Sequence, residues 1–552
     1  LPADYTFVPG DAGSHVFSGV ILDTAGAQSV AATDDARGTI TGSTTTTVSP
    51  AAAARFAVGA PTSATAGAAF TATVTALDAF GNVATGYAGT VHFTSSDAQA
   101  ALPADSTLTN GTGSFSVTLK TAGAQSITAT DTAASSITGS QSGIAVSPAT
   151  AATLSVGGFP SPTTAGVTGT FTVTLRDAYG NVATGYTGAV HFTSSDPQAV
   201  LPANYQFTSG DAGVHTFSAA LKTAGVQSLT ATDTGAASLA GTDGNIVVGA
   251  AAAATMSVAG FPSSTIAGVA HAVAVTLRDA YGNVATGYTG TVHFTSSDAQ
   301  AGLPADYTLT AADAGMHTFS VALKTSGTQS ITATDRAASS LTATQGGIAV
   351  SAAAAATFSV TGYPSATAGT AHAFTVTARD AYGNVATGYR GTVLFTSSDA
   401  QAALPANYTF TAGDAGVRTF SATLKTAGSQ SLTATDTATA AITGTQAGIL
   451  ISAAAATHFR ISAPANVKAG TPFTIIVTAL DAFGNVAVSY SGKVHFASSD
   501  KHAVLPPDYT FVSGDNGVHT FTVTLRSGGT RSITATDDAN GSITGSTSVN
   551  VA

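Results

Sequence analysis

Any chemistry in this chain has to come from aspartate, histidine, lysine, asparagine, serine and threonine. Cysteine and tryptophan are absent, and all 29 acidic residues are aspartate. An Asp–Asn pair recurs in the turn Asp78-Ala-Phe-Gly-Asn82 and again from Asp177, Asp279, Asp380 and Asp481. Its oxygens could serve Ca2+, joined by Asp97, Asp131, Asp196, Asp233, Asp298 and Asp335 if the loops gather at one pole. Calcium takes about six to eight oxygens with several carboxylates, and the D-x-D-x-D-G spacing of a calcium loop is missing. Turn chemistry is the simpler reading. Asp78 caps its own backbone, Gly81 takes a positive φ and Asn82 completes the turn. Ca2+ stays as an alternative, and no residue is assigned to a metal, a cofactor or catalysis.

Histidines recur in pairs, as His191 with His215, His293 with His317 and His495 with His519. Zinc needs three or four converging ligands. Leu394 and Arg418 take both places in one copy, and the short loop Gly111-Thr-Gly113 leaves another without its second His. His92 precedes an inward Phe93, so it is expected to face solvent. Lys120, Lys222, Lys324 and Lys425 recur beside Asn82, Asn181, Asn283 and Asn384, the residue types of a Lys–Asn isopeptide bond. Arg526 and Asp23 replace the lysine elsewhere, and no Glu is present to catalyse such a bond. An exposed lysine at a strand end, discouraging edge pairing, is the expectation. Thr rows such as Thr71, Thr73 and Thr75 suit solvated strands. No nucleophile elbow or triad signature is present.

The spacing of these residues reveals the organisation. The stretch from Arg176 to Gly188 returns letter for letter from Arg278 to Gly290, and the D-A-[FY]-G-N turns stand 99, 102, 101 and 101 residues apart. A period near a hundred residues is one domain per repeat. The expected blocks are 50–148, 149–250, 251–352, 353–453 and 454–552, preceded by the second half of a repeat at 1–49. A half-repeat leaves strand edges unpaired, so either the chain extends upstream, the simpler expectation, or another chain supplies the missing strands.

Within 50–148, Phe70, Ala72, Val74 and Ala76 alternate with Thr71, Thr73 and Thr75, the period of a half-buried strand. Further strands are expected around Phe56–Val58, Thr90–Thr94, Phe115–Leu119, Gln125–Thr130 and Ile144–Ser147. Seven or so short strands in a hundred residues predict an all-β fold, a tandem array of immunoglobulin-like sandwiches. Without a disulfide or Trp, their cores must be filled by Phe, Val, Ile and Leu. Short Ala-rich joints, such as Ser49-Pro-Ala-Ala-Ala-Ala54, are expected to hold neighbours end to end; they lack the Gly-Ser richness of loose tethers.

Charged residues are 9% and the net charge is −11. That balance argues against nucleic acid as a partner. No apolar run reaches the roughly 18 residues of a membrane span.

The sequences Val74-Thr-Ala-Leu-Asp-Ala-Phe-Gly-Asn-Val83, Thr90-Val-His-Phe-Thr-Ser-Ser-Asp97 and Gln125-Ser-Ile-Thr-Ala-Thr-Asp131 resemble the bacterial immunoglobulin-like repeats of invasin- and intimin-type surface proteins. Val83 and its counterparts stand where Pro is frequent in that family. The resemblance covers essentially the whole chain and implies an extracellular or cell-surface location. The reading is a non-enzymatic stalk, fibre or matrix component, with homotypic association, head-to-tail or lateral, as its expected partnership. The alternative is an adhesin that binds glycan or a host protein through its pole loops. Near-constant pole loops favour the first.

Overall fold

A computed structural model describes all residues, 1–552. Strands dominate, and the helical pieces are single 3-10 turns such as Pro9–Asp11 and Ser209–Asp211. The chain divides into two compact units, one of Leu1–Ala252 with Asp279–Ala285, the other of Ala253–Arg278 with Thr286–Ala552.

In the first unit, residues 1–49 supply β1 (Gly26–Thr33) and β2 (Thr41–Val48), paired antiparallel. The apolar residues Phe7, Val16 and Ile21 are exposed there. The stretch Ser14–Val20 remains unpaired. Its counterpart in the other repeats pairs only with a strand of the repeat's first half, which 1–49 does not include.

The following repeat shows the complete architecture. Its strands are β3 (Arg55–Gly59), β4 (Ser63–Thr65), β5 (Ala69–Leu77), β6 (Thr90–Ser95), β7 (Ser106–Thr107), β8 (Thr112–Thr118), β9 (Gly123–Asp131) and β10 (Thr138–Ser147). One sheet has the order β3-β5-β8, the other β4-β10-β9-β6-β7. The chain opens in the smaller sheet and crosses at β4 to lie parallel to β10; the remaining pairings are antiparallel. Two sheets in this order make an immunoglobulin-like sandwich. The same three- and five-stranded pair recurs over 153–249 in the first unit, and over 255–351, 357–452 and 458–551, whose strands belong to the second.

Alternation explains the packing. Along β5, Ala72, Val74 and Ala76 are fully buried, and Val91, Phe93, Ile127, Ala129 and Ile144 close over them from the facing sheet. Burying one such side chain contributes about 1.5–3 kcal/mol. Phe171 stacks edge-on against Phe192 in the next core, in the place a disulfide and Trp fill in antibody domains. Each of the strands expected from periodicity is present. Added to them are β4, β7 and the first half of β10, which carries a bulge between Gln141 and Ile144.

Candidate functional site: the joints between repeats

The recurring turn does more than close on itself. Asp177 lies in the loop that follows the strand Thr168–Arg176 and is almost fully buried. One carboxylate oxygen accepts the N–H groups of Tyr179 and Asn181, both at 2.9 Å. The other accepts the linker N–H of Ala149 at 2.9 Å and the Asn181 side-chain amide at 2.8 Å. Burial alone would raise the Asp177 pKa; these donors, Asn181 first among them, outweigh it and lower it. For Asp78 the same balance ends at about 2.

Held in this way, Asn181 reaches back to the preceding repeat. Its Nδ2 donates to the carbonyl of Lys120 at 2.7 Å, and its Oδ1 accepts the N–H of Ala122 at 2.9 Å. Asn283 does the same with Lys222 and Ala224 within the first unit. In the second unit Asn384 joins Lys324 and Ser326, and Asn485 joins Lys425 and Ala427. Asn82 meets Asp23 and Ala25.

The aromatic residue of the turn is the plug. The Tyr179 ring packs on the core of 50–148 and fills the space above Gly67, where a Cβ would collide with it. Gly67 also has φ +80°, so both backbone and contact demand glycine. Tyr281 sits on Gly166, Tyr382 on Gly268 and Phe483 on Gly369 in the same way. The Lys120 ammonium lies 5.9 Å from the Tyr179 ring centre, within cation–π range. Gln198 donates to the Tyr281 carbonyl at 3.2 Å, as Gln401 does to that of Phe483 at 3.0 Å.

The receiving pole is shaped by a second aspartate. Asp97 accepts the N–H groups of Lys120 and Thr121 and the Thr121 hydroxyl, which turns the Lys120 carbonyl toward Asn181. A third, Asp131, accepts the Tyr87 hydroxyl and the N–H groups of Ala133 and Ala134. Asp78, Asp97 and Asp131 thus serve three separate turns. No group of three or more His or Asp side chains assembles as a metal site.

Two expectations change. Lys120, Lys222, Lys324 and Lys425 are half-buried under aromatic rings rather than free at strand ends. The asparagine beside each lysine belongs to the next repeat and touches the lysine carbonyl, not its ammonium. The histidines are dispersed. His215 pairs with Asp211 at 2.6 Å and stacks on Tyr205, Arg418 takes that role with Asp414, and His293 pairs with Asp306. His191 meets Asn204 and His495 meets Asp508.

No family profile matches the sequence, nor does any curated protein. Among solved structures, invasin, a bacterial integrin-binding protein, is 18% identical across 72% of this chain and 79% of its own, with a TM-score of 0.26. The Escherichia coli adhesin FdeC is 19% identical, covering 54% and 96%, with a TM-score of 0.26. Surface layer protein SbsC, domains 1–6, is 18% identical across 91% and 67%, with a TM-score of 0.18. The class follows from the strand order and the sequence repeats: the chain is a tandem array of immunoglobulin-like β-sandwiches. No helix is long and apolar enough to cross a membrane.

Proposed function

We propose that this chain is a non-enzymatic extracellular or cell-surface structural protein, a stalk or fibre component whose work is to set spacing. The folding blocks are 50–148, 149–250, 251–352, 353–453 and 454–552, with 1–49 the second half of a further repeat. The observation that carries the reading is the joint. In four successive places an aromatic plug, an asparagine bridge and a glycine seat recur with the same partners. A spacer needs such repetition, whereas a receptor diversifies its loops.

Invasin and FdeC are named as an integrin-binding protein and an adhesin, and an adhesin-like surface protein is the second reading. The joints weigh against adhesion through the pole loops, because the D-A-[FY]-G-N residues there are already engaged by the neighbouring repeat.

Single-molecule stretching of the full chain tests the reading. Blocks that fold alone unfold one at a time, each releasing about 100 residues and about 30 nm of contour. A single event for the whole chain contradicts it.

A further inference from the structure

One margin of each sandwich closes where edge strands of its two sheets meet. In 149–250 those edges are Tyr205–Gln206 and Val214–Ala220. Asp211 lies in the turn between them. It accepts the Tyr205 hydroxyl at 3.1 Å and the Thr208 hydroxyl at 2.8 Å, and it pairs with His215 Nδ1 at 2.6 Å. The Tyr205 ring stacks on His215 with 4.2 Å between centres and stands edge-on to Phe217 at 5.2 Å. The same latch recurs as Tyr307, Asp313 and His317, as Tyr408, Asp414 and Arg418, and as Tyr509, Asp515 and His519. Even 1–49 carries it, as Tyr5, Asp11 and His15.

Block 50–148 lacks the latch. Ser106 stands opposite Val91 where Tyr205 stands opposite Val190. Gly113 stands opposite Val74 where His215 stands opposite Val173. The connection between β7 and β8 is three residues shorter, holds no aspartate and turns through Asn110 and Gly111 at φ +52° and +71°. The core behind this margin is smaller as well. Ala72 is the partner of Phe115, where Phe171, Val273, Phe374 and Ile475 are the partners of Phe217, Phe319, Phe420 and Phe521. All of these partner positions on the inner strand are fully buried, and alanine buries the least apolar surface among them. Phe115 itself stays half-buried, while Phe217, Phe319 and Phe521 are buried.

We propose that 50–148 is a weak link built into the chain: it opens first, with β8 leaving β5, while the other blocks stay folded. A shorter turn saves closure entropy, but that saving grows only with the logarithm of loop length. The missing ring contacts, the missing carboxylate clamp and the smaller core outweigh it. The inference rests on the structural-array reading above and names the bead at which the array yields. Under tension this block releases about 30 nm of contour before any other gives way, so load is relieved at one fixed place.

Native-state hydrogen exchange of the full chain at low denaturant, read by mass spectrometry, tests this. Strand Ala69–Leu77 should exchange at least about tenfold faster than Thr168–Arg176, Ala270–Arg278, Ala371–Arg379 and Phe473–Leu480. Removing the latch from 149–250 with Tyr205→Ser and His215→Ala should bring Thr168–Arg176 toward the rate of Ala69–Leu77 and leave Ala371–Arg379 unchanged. Tyr205→Phe keeps the ring and loses its bond to Asp211; it should give a smaller rise, and it carries the test if the double variant does not fold. Ala69–Leu77 exchanging no faster than its counterparts, or Thr168–Arg176 untouched by the latch substitutions, overturns the proposal. Failure of the array reading looks different: the strands of every block would then exchange at one common rate, with a denaturant slope scaled to the whole chain.

Discussion

The ring of Tyr179 fills the space above Gly67 of the preceding repeat, space that any other residue at 67 would claim with its own Cβ. That one pairing ties a turn that looks self-sufficient to a glycine in another sandwich. It makes the joint a packed contact instead of a tether.

The seat should therefore be intolerant of side chains. Gly166→Val places a branched side chain under Tyr281 at φ +81°, a backbone region L-residues with bulky side chains avoid. The ring should be expelled while both cores persist. Near-ultraviolet circular dichroism should report the freed tyrosine with little change in the far-ultraviolet spectrum; an unchanged tyrosine signal would contradict the seat.

The asparagine bridge should be local in effect. Asn283→Ala leaves the Lys222 carbonyl and the Ala224 N–H without their partner, a loss of about 1–3 kcal/mol at the joint. Hydrogen exchange at Ala224 should accelerate about ten- to a hundredfold, with core amides such as that of Ala231 unaffected. Equal acceleration throughout the repeat would show that the joint and the sandwich are one cooperative body.

Acid should open the joints. Burial favours the protonated Asp78, but bonds from Asn82, Ala51 and Phe80 prevail and hold its pKa at about 2. A depressed folded pKa contributes stability that is full above the unfolded value near 3.9 and is lost as pH falls through the folded one. The thermal midpoint should thus be level above pH 5 and fall steeply between about pH 4 and pH 2. A midpoint independent of pH over that window would count against the aspartate-held joint.

Cores should fail singly. Leu229 is fully buried among Phe192, Phe217 and Ile246, and Leu229→Ala should cost about 2–5 kcal/mol. Limited proteolysis should then cut within 149–250 and spare the strands of 357–452. Cleavage spread evenly along the chain would contradict separate cores.

Much of this was legible in the sequence because strands of eight or nine residues alternate cleanly, as Phe70 to Ala76 does. The two residues of β7 and three of β4 are too short to show a period, and β10 hides its first half in Gly, Ser and Gln before a bulge. The joint escaped for a different reason. Asp78 to Asn82 accounts for its own turn hydrogen bonds, so nothing local asks for a partner. The available signal was the aromatic at the turn tip: a Phe or Tyr kept at each solvent-facing tip, in step with an Ala-Gly pair such as Ala66-Gly67, calls for a cover.

Distance across a joint decides the matter most directly. The chain has no cysteine, so spin labels can be placed by Thr94→Cys and Thr193→Cys on exposed strand positions of adjacent repeats in the first unit. Pulsed electron resonance should give one narrow distance distribution that broadens severalfold when Tyr179→Ala is added. A distribution already broad with Tyr179 in place would show that the plug and seat do not hold the repeats together.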